Sequence, residues 1–359
     1  MTASLPKVSI NLVVMNGENF IRHSLRSIKE QSYPQNLIEI NILDNGSTDK
    51  TKEIIREELK IGPPADGCDS ELGEFSLVEN PVNIGFWAGQ EKLFGQSEGE
   101  IIVATTDVIL DKNFLKNAVA VFETDPKIGA IQAKIYQMEL YGQPTPVFTD
   151  IIDTVGFVIF KSRRIINLGH GDKDNGQFND QQDIFAVEGA VPIFRRTALE
   201  NCKINGRIID PDYRAGSFGY GDDLDLAWRM RLFGWKQILA PAVIAYHDRS
   251  TTKNIAKHAR DYLSRIKRRS HISIQKRRLD WRNVRFTIIK NDYIINLLKD
   301  LPQIVFREAM VLIYSILFEP KVLFEIPIFL KLFPKMIRNR KIIMQKAKVG
   351  PKEMRRWFR

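Results

Sequence analysis

The sequence predicts an α/β protein: a mostly parallel, Rossmann-like sheet flanked by helices, with a basic, mainly helical C-terminal extension. Three observations predict it. Apolar runs of strand length alternate with amphipathic helical patterns from residue 8 onward, the spacing of strand–helix–strand–helix units. Acidic and amide residues stand just after those runs, where such sheets bind ligands. The charge then changes sign along the chain. Residues 251–359 hold 27 Lys and Arg against 8 Asp and Glu, a net of +19, while residues 1–250 hold 26 against 35, a net of −9. We therefore expect an α/β domain over 1–250 and a basic amphipathic region over 251–359 that seeks a polyanionic surface.

Each element follows in order. Val8-Ser-Ile-Asn-Leu-Val-Val14 reads as a buried strand and Met15-Asn-Gly17 as a turn, so Asn16 stands at a strand end. Phe20–Gln31 is helical. Leu37–Leu43 is a second strand, followed at once by Asp44-Asn-Gly-Ser-Thr-Asp49 and a helix to about Leu59. Ser47 or Asp49 suits the cap of that helix, whereas Asp44 precedes any plausible cap and reads as functional. Pro63, Pro64, Gly67 and Gly73 mark a loop, and Phe75–Val78 a short strand. In Asn83-Ile-Gly-Phe86, Gly85 and the later Gly89 flank a helix start, where glycine permits close backbone approach to a ligand. Ile101–Ala104 is another buried strand, with Asp107 at its mouth, a place for an oxygen-ligated divalent cation.

Asn113–Phe122 reads as a helix and Ile128–Ile135 as a strand. The glycine-rich loop 169–176 suits a cover over a substrate, and its His170 reads as solvated. Phe185–Phe194 reads as a strand with a break at Gly189. Gly219-Tyr-Gly-Asp-Asp-Leu-Asp225 then opens a helix on which Leu224, Ala227, Trp228 and Leu232 share a face, with Gly234 as its C-terminal stop. Asp222, Asp223 and Asp225 crowd its first turn, where the helix dipole favours negative charge. Lys236–Ala245 is the next strand and delivers His247 to its end.

Composition bounds the rest. With 44% hydrophobic and 27% charged residues the chain is globular rather than disordered or collagenous. Cys68 and Cys202 lack metal-ligand spacing, which implies free thiols in a reducing compartment. Met1 runs into the first strand without a basic, then apolar, leader, so no secretory signal is expected. The longest uncharged run in the apolar stretch Pro302–Phe333, Ala309–Phe318, is ten residues, too short to span a bilayer. The clusters Arg265–Arg269 and Lys276–Arg278 beside this stretch suit a region lying in a membrane interface.

Residues 8–250 resemble a family 2 glycosyltransferase of the GT-A fold, in the branch that includes bacterial rhamnosyltransferases. The matching pieces occur in order: the strand ending in Asn16, Asp44-Asn-Gly-Ser-Thr-Asp-Lys-Thr51, Asn83-Ile-Gly-Phe86, the Asp107 strand end, and Tyr220-Gly-Asp-Asp-Leu-Asp-Leu226 with Gly234-Trp235 and His247 beyond. The resemblance implies that Asp44 binds the nucleoside, with Asn16 nearby, and that Asn83 and Gly85 line the donor site. It implies that Asp107 holds a Mg²⁺ or Mn²⁺ ion on the donor diphosphate and that His247 contacts that ion or the diphosphate. It makes Asp223, with Asp222 beside it, the catalytic base. The sequence departs from the family twice: Thr105 replaces the first acid of the Asp-x-Asp metal motif, and Asp222-Asp223 replaces a Glu-Asp pair.

The expected function is an inverting transfer from a nucleotide-diphosphate sugar, rhamnose being one candidate, to a saccharide or lipid-linked acceptor in cell-surface polysaccharide synthesis. The expected location is the cytoplasmic face of the cell membrane, on an anionic leaflet and without crossing it. The alternatives are a catalytically inactive transferase-like scaffold and a nucleic-acid-binding protein acting through the basic tail. No nucleic-acid-reading motif supports the second, and none is expected as a partner. A dinucleotide-dependent oxidoreductase is disfavoured, because the first strand–turn reads Asn16-Gly-Glu-Asn-Phe20 and lacks Gly-x-Gly-x-x-Gly.

Overall fold

The computed structural model describes residues 4–60, 74–140, 145–210, 221–248, 269 and 272–359. Cys68, the proline and glycine loop up to Gly73, Gly219-Tyr220 and residues 265–268 lie outside the described residues.

The N-terminal half alternates strand and helix. β1 (Val8–Val14), β2 (Ile38–Asp44), β3 (Phe75–Glu79) and β4 (Ile101–Thr105) are separated by α1 (Ile21–Lys29), α2 (Thr51–Glu58) and α3 (Phe86–Phe94). β1, β2 and β4 are buried along their whole length, which fits continuous apolar runs in a sheet covered on both faces. β5 (Val108–Leu110), α4 (Phe114–Thr124) and β6 (Ile128–Glu139) follow. Then come β7 (Val147–Thr154), β8 (Phe157–Ile159), β9 (Ile165–Asn167), β10 (Gln182–Asp183), β11 (Ile193–Arg195), α5 (Arg196–Asn201), α6 (Asp222–Leu232) and β12 (Lys236–His247).

The main sheet runs β10-β12-β6-β11-β4-β1-β2-β3, with β5 on β12 and β7 on β6. β3, β2, β1 and β4 are mutually parallel, and β12 is parallel to β6. β11 runs antiparallel between β4 and β6. The carboxyl ends of β1, β2, β4, β6 and β12 therefore share one edge of the sheet. This is the mixed, curled sheet flanked by helices of the GT-A fold.

Two expectations need correction. The strand expected over Phe185–Phe194 is reduced to β11. Side chains satisfy part of the backbone that a ladder would otherwise pair. Gln237 Oε1 accepts the Val187 N–H at 3.0 Å and Gln132 Oε1 the Glu188 N–H at 2.7 Å. Gly89 does not serve ligand approach. A Cβ there would stand 2.8 Å from the Val13 side chain, so the glycine lets α3 lie on β1.

The C-terminal region is helical: α7 (Ile274–Asn291), α8 (Ile294–Lys299), α9 (Leu301–Phe318), a 3₁₀ segment (Pro320–Glu325), α10 (Ile326–Lys346) and α11 (Pro351–Arg355). It is keyed onto α6. Buried Asp225 accepts from Lys290 Nζ at 2.9 Å and Asn291 Nδ2 at 2.6 Å, and pairs with Arg229 at 3.2 Å. Trp228 meets Phe358 edge-on at 5.9 Å. The Lys348 and Val349 N–H groups donate to the Leu232 carbonyl, and Gly234 at φ +89° turns the chain out of α6.

Much of the positive charge of α7 is spent inside this region. Arg269 and Arg277 pair with Glu319, Arg278 and Arg282 with Glu325, and Arg285 with Glu308. These contacts set the orientation of α9. Its Arg307, Glu308, Tyr314 and Ser315 turn inward, while Phe306 and Leu317 are 70% and 65% exposed. The helix is amphipathic with its apolar face outward. It is also the one described helix long and apolar enough to cross a membrane, 18 residues with mean hydropathy 1.5. The Arg307–Glu308 ion pair interrupts its apolar sequence.

Candidate active site

β1 and β2 end level, Val14 opposite Asp44, so the turns after them face each other. Asn16 adopts the left-handed conformation at φ +51°, which asparagine tolerates. Its N–H donates to Ser47 Oγ, and its Oδ1 accepts the Thr48 N–H, both at 2.9 Å. The Asp44 carboxylate is buried and accepts the Ser47 N–H at 3.2 Å, which fixes the turn after β2. Gly46, at φ +85°, passes so close to Val82 that a Cβ would stand 3.2 Å from its backbone. The neighbouring loop is tied in by Asn45. Its Nδ2 donates to Asn83 Oδ1 at 2.8 Å, and its Oδ1 accepts the Ile84 N–H at 2.9 Å. Asn83 Oδ1 also takes the Gly85 N–H at 2.7 Å, and Gly85 at φ +88° begins α3. Asn16, Asp44, Asn83 and Gly85 thus belong to one hydrogen-bonded rim. Asn45 is its hub, a residue the sequence did not single out although it stands inside the Asp44 motif.

The second group forms because the chain reverses after β4. β5 runs antiparallel to β12 with Val108 opposite His247, so Asp107 meets the imidazole: Nε2 lies 3.4 Å from Asp107 Oδ1. The other ring nitrogen, Nδ1, is 2.9 Å from Asp153 Oδ2 on β7. Burial pushes the His247 pKa down, but the carboxylates of Asp107 and Asp153 outweigh burial and raise it to about 10. His170, expected to be solvated, is 10% exposed, with Nδ1 2.7 Å from the Asp153 carbonyl oxygen. Thr105, at the position of the first motif acid, is buried in β4.

Once a cation displaces the proton from Nε2 of His247, the carboxylate oxygen and imidazole nitrogen meeting at the sheet edge are a donor set that fits Mg²⁺ or Mn²⁺ when phosphate oxygens complete the shell. Among the described residues no cluster of three or more His, Cys, Asp or Glu side chains forms a full cation cage.

The third group opens α6. Asp222 is buried, whereas Asp223 is only partly so. Asp223 Oδ2 accepts the Gly189 N–H at 3.2 Å, and Oδ1 the Leu224 N–H at 2.8 Å. A Cβ on Gly189 would stand 2.8 Å from Asp223 Oδ2. Gly189 is therefore the seat of the Asp223 carboxylate. The sequence signalled it only as a break in an apolar run. Asp225, on the far side of the same turn, is a structural acid bound to α7.

A sheet whose parallel strand ends gather a hydrogen-bonded loop rim, an acid–imidazole pair and a helix-borne carboxylate defines a GT-A architecture. The profile of glycosyl transferase family 2 matches residues 9–202, more than half of the chain, and the chain belongs to that family. Glycosyltransferase AglE of Haloferax volcanii is 42% identical over 57 residues, 16% of this chain and 19% of that protein. Beta-monoglucosyldiacylglycerol synthase of Trichormus variabilis is 27% identical over 246 residues, 66% of this chain and 43% of that protein. The chain spans less than half the length of the curated relatives it matches. The solved structure of GalNAc-T7 with UDP, GalNAc and Mn²⁺ has a TM-score of 0.53 at 14% identity, covering 68% of this chain and 44% of that one, a likeness of fold.

Proposed function

We propose that the chain is an inverting glycosyltransferase that moves a sugar from a nucleoside-diphosphate donor to a saccharide or lipid-linked acceptor at a membrane surface. The observation that carries it is the gathering of the loop rim, the Asp107–His247 pair and the Asp223 carboxylate at the carboxyl edges of the strands and the opening of α6. The rim of Asn16, Asp44, Asn83 and Gly85 receives the nucleoside. Asp107 and His247 would hold a divalent cation, which would supply positive charge to stabilise the departing diphosphate. The bond from C1 to the diphosphate oxygen breaks as the acceptor oxygen forms its bond to C1 from the opposite face. Asp223 accepts the hydroxyl proton. Asp223 lies in the first turn of α6, where the helix dipole favours a negative charge. One displacement inverts the anomeric centre.

The order of motifs, similar to that of rhamnosyltransferases, makes deoxythymidine-diphosphate-rhamnose the first donor to test. The membrane part of the reading rests on the exposed apolar side chains of α9, Phe306 and Leu317 among them, and on exposed Phe324 in the segment after it. It is supported by the Trichormus relative, a beta-monoglucosyldiacylglycerol synthase, whose name is that of a lipid-related enzyme. We assign the protein to the cytoplasmic leaflet, in service of cell-surface polysaccharide synthesis.

The test is a thermal-shift series with deoxythymidine, uridine and guanosine diphosphate sugars, with and without Mn²⁺ or Mg²⁺. A ligand at 100 times its dissociation constant stabilises by about 2.7 kcal/mol. One nucleotide sugar should stabilise the protein, and a chelator should remove the effect. Absence of a shift with every nucleotide would contradict the reading. Stabilisation undiminished by chelator would remove the cation from it.

A further inference from the structure

Asp153 stands outside every motif of the sequence, yet its carboxylate is fully buried beside the candidate cation site. Two imidazoles converge on it. His247 Nδ1 is 2.9 Å from Oδ2, and His170 Nδ1 is 2.7 Å from the carbonyl oxygen and 3.4 Å from Oδ1. A His ring has two nitrogens, and the partner of one decides what the other offers. With Nδ1–H donating to Asp153, Nε2 of His247 is directed towards Asp107. A buried carboxylate behind a metal-binding histidine fixes ring orientation and tautomer and raises the basicity of the ligating nitrogen.

We infer that Asp153 is a positioning residue: it pins His247 so that Nε2 is presented to the cation and diphosphate, and His170 braces Asp153 from the 168–176 loop. This rests on the cation reading proposed above. It also gives the 145–184 segment a task. β7 brings Asp153 and the loop brings His170 to the end of β12, where the chain between β6 and β11 would otherwise only cover the sheet edge. The Asp172 N–H donates to the Gly169 carbonyl, and the Ile152 N–H to the Asp172 carbonyl at 2.8 Å, so the loop is bonded directly to the strand carrying Asp153.

The test is Mn²⁺ binding followed by electron paramagnetic resonance, in saturating deoxythymidine diphosphate and separately in UDP and in GDP, with no sugar transfer involved. Wild type, Asp153→Asn, His247→Ala and the double variant are compared. Loss of an outer-shell partner of this kind weakens metal binding by about 10- to 100-fold. Asp153→Asn should show that loss, and adding it to His247→Ala should weaken binding no further, because Asp153 acts through the ring. Wild-type affinity in Asp153→Asn, or losses that add in the double variant, would overturn the inference. Failure of wild type to bind Mn²⁺ with any of the three nucleotides would overturn the cation reading itself and this inference with it. A second measurement does not depend on the variants folding. In the complex of ¹⁵N-histidine-labelled wild type with Mg²⁺ and the nucleotide that supports Mn²⁺ binding, His247 should carry its proton on Nδ1, and a proton on Nε2 instead would contradict the assignment.

Discussion

Gly189 acts through an atom it lacks. Its bare Cα lets the Asp223 carboxylate rest against the backbone, where a Cβ would stand 2.8 Å from Oδ2. Gly189→Ala should therefore move the carboxylate, and displacing a reacting group by about 1 Å costs on the order of 10²-fold in rate. We expect turnover to fall about 10- to 100-fold in this variant while nucleotide binding, read by thermal shift, stays near wild type; unchanged turnover would deny Asp223 its seat. Sequence and structure part company at this scale. Asn16, Asp44 and Asp107 were legible as strand-end residues because apolar runs fix where strands stop. The partners were not. Asp153 lies 94 residues from His247, in a strand whose first half is exposed, and nothing local marks a side chain that will be buried by a distant one. His170 was misread for the same reason: a glycine-rich loop looks solvated until β7 is folded beneath it.

At the level of elements, α1 and α2 are clamped by one acid. Glu58 takes Arg22 at 2.7 Å, Arg26 at 3.0 Å and Lys29 at 2.9 Å. Burial raises its pKa, but hydrogen bonds from Lys29, Arg26 and Arg22 win and lower it to about 2. A carboxylate depressed in the folded state contributes stability that is full above its unfolded pKa, near 4.5, and is lost as pH falls towards 2. Denaturation of wild type and Glu58→Gln should show the wild-type advantage intact at about pH 6 and shrinking between about pH 4.5 and pH 2. An advantage independent of pH would mean that packing, not charge, holds the helices. Most elements were legible: β1 and α6 follow their apolar patterns closely. The expected 185–194 strand was not, because a buried apolar run gives the same pattern whether its backbone is paired by a ladder or by Gln132 and Gln237 side chains.

Over the whole molecule, the basic C-terminal region does two things that net charge did not separate. One side locks onto α6 through Lys290, Asn291 and Phe358, so a chain cut before α7 would strip the candidate catalytic helix of its packing. The other side offers α9, about 27 Å long at 1.5 Å per residue, with its ion pairs turned inward. Point variants are therefore a cleaner probe of membrane binding than truncation. In vesicle flotation the full chain should bind anionic bilayers, with salt weakening binding without abolishing it, since only the charge contribution is screened. Phe306→Glu/Leu317→Glu should lower flotation on both anionic and neutral vesicles by about tenfold or more, given about 1.5–3 kcal/mol for each large apolar side chain buried. Equal flotation of variant and wild type would show that α9 is not the docking face.

The central assignment is Asp223 as the base at the sheet edge. Its most direct measurement is transfer and donor binding compared in wild type, Asp223→Asn and Asp222→Asn, using the nucleotide sugar that stabilises the wild type. We predict that Asp223→Asn binds the donor with near wild-type affinity and loses about 10²-fold or more in turnover, the scale of general-base catalysis, while Asp222→Asn loses less. Full turnover in Asp223→Asn, or the larger loss in Asp222→Asn, would contradict it.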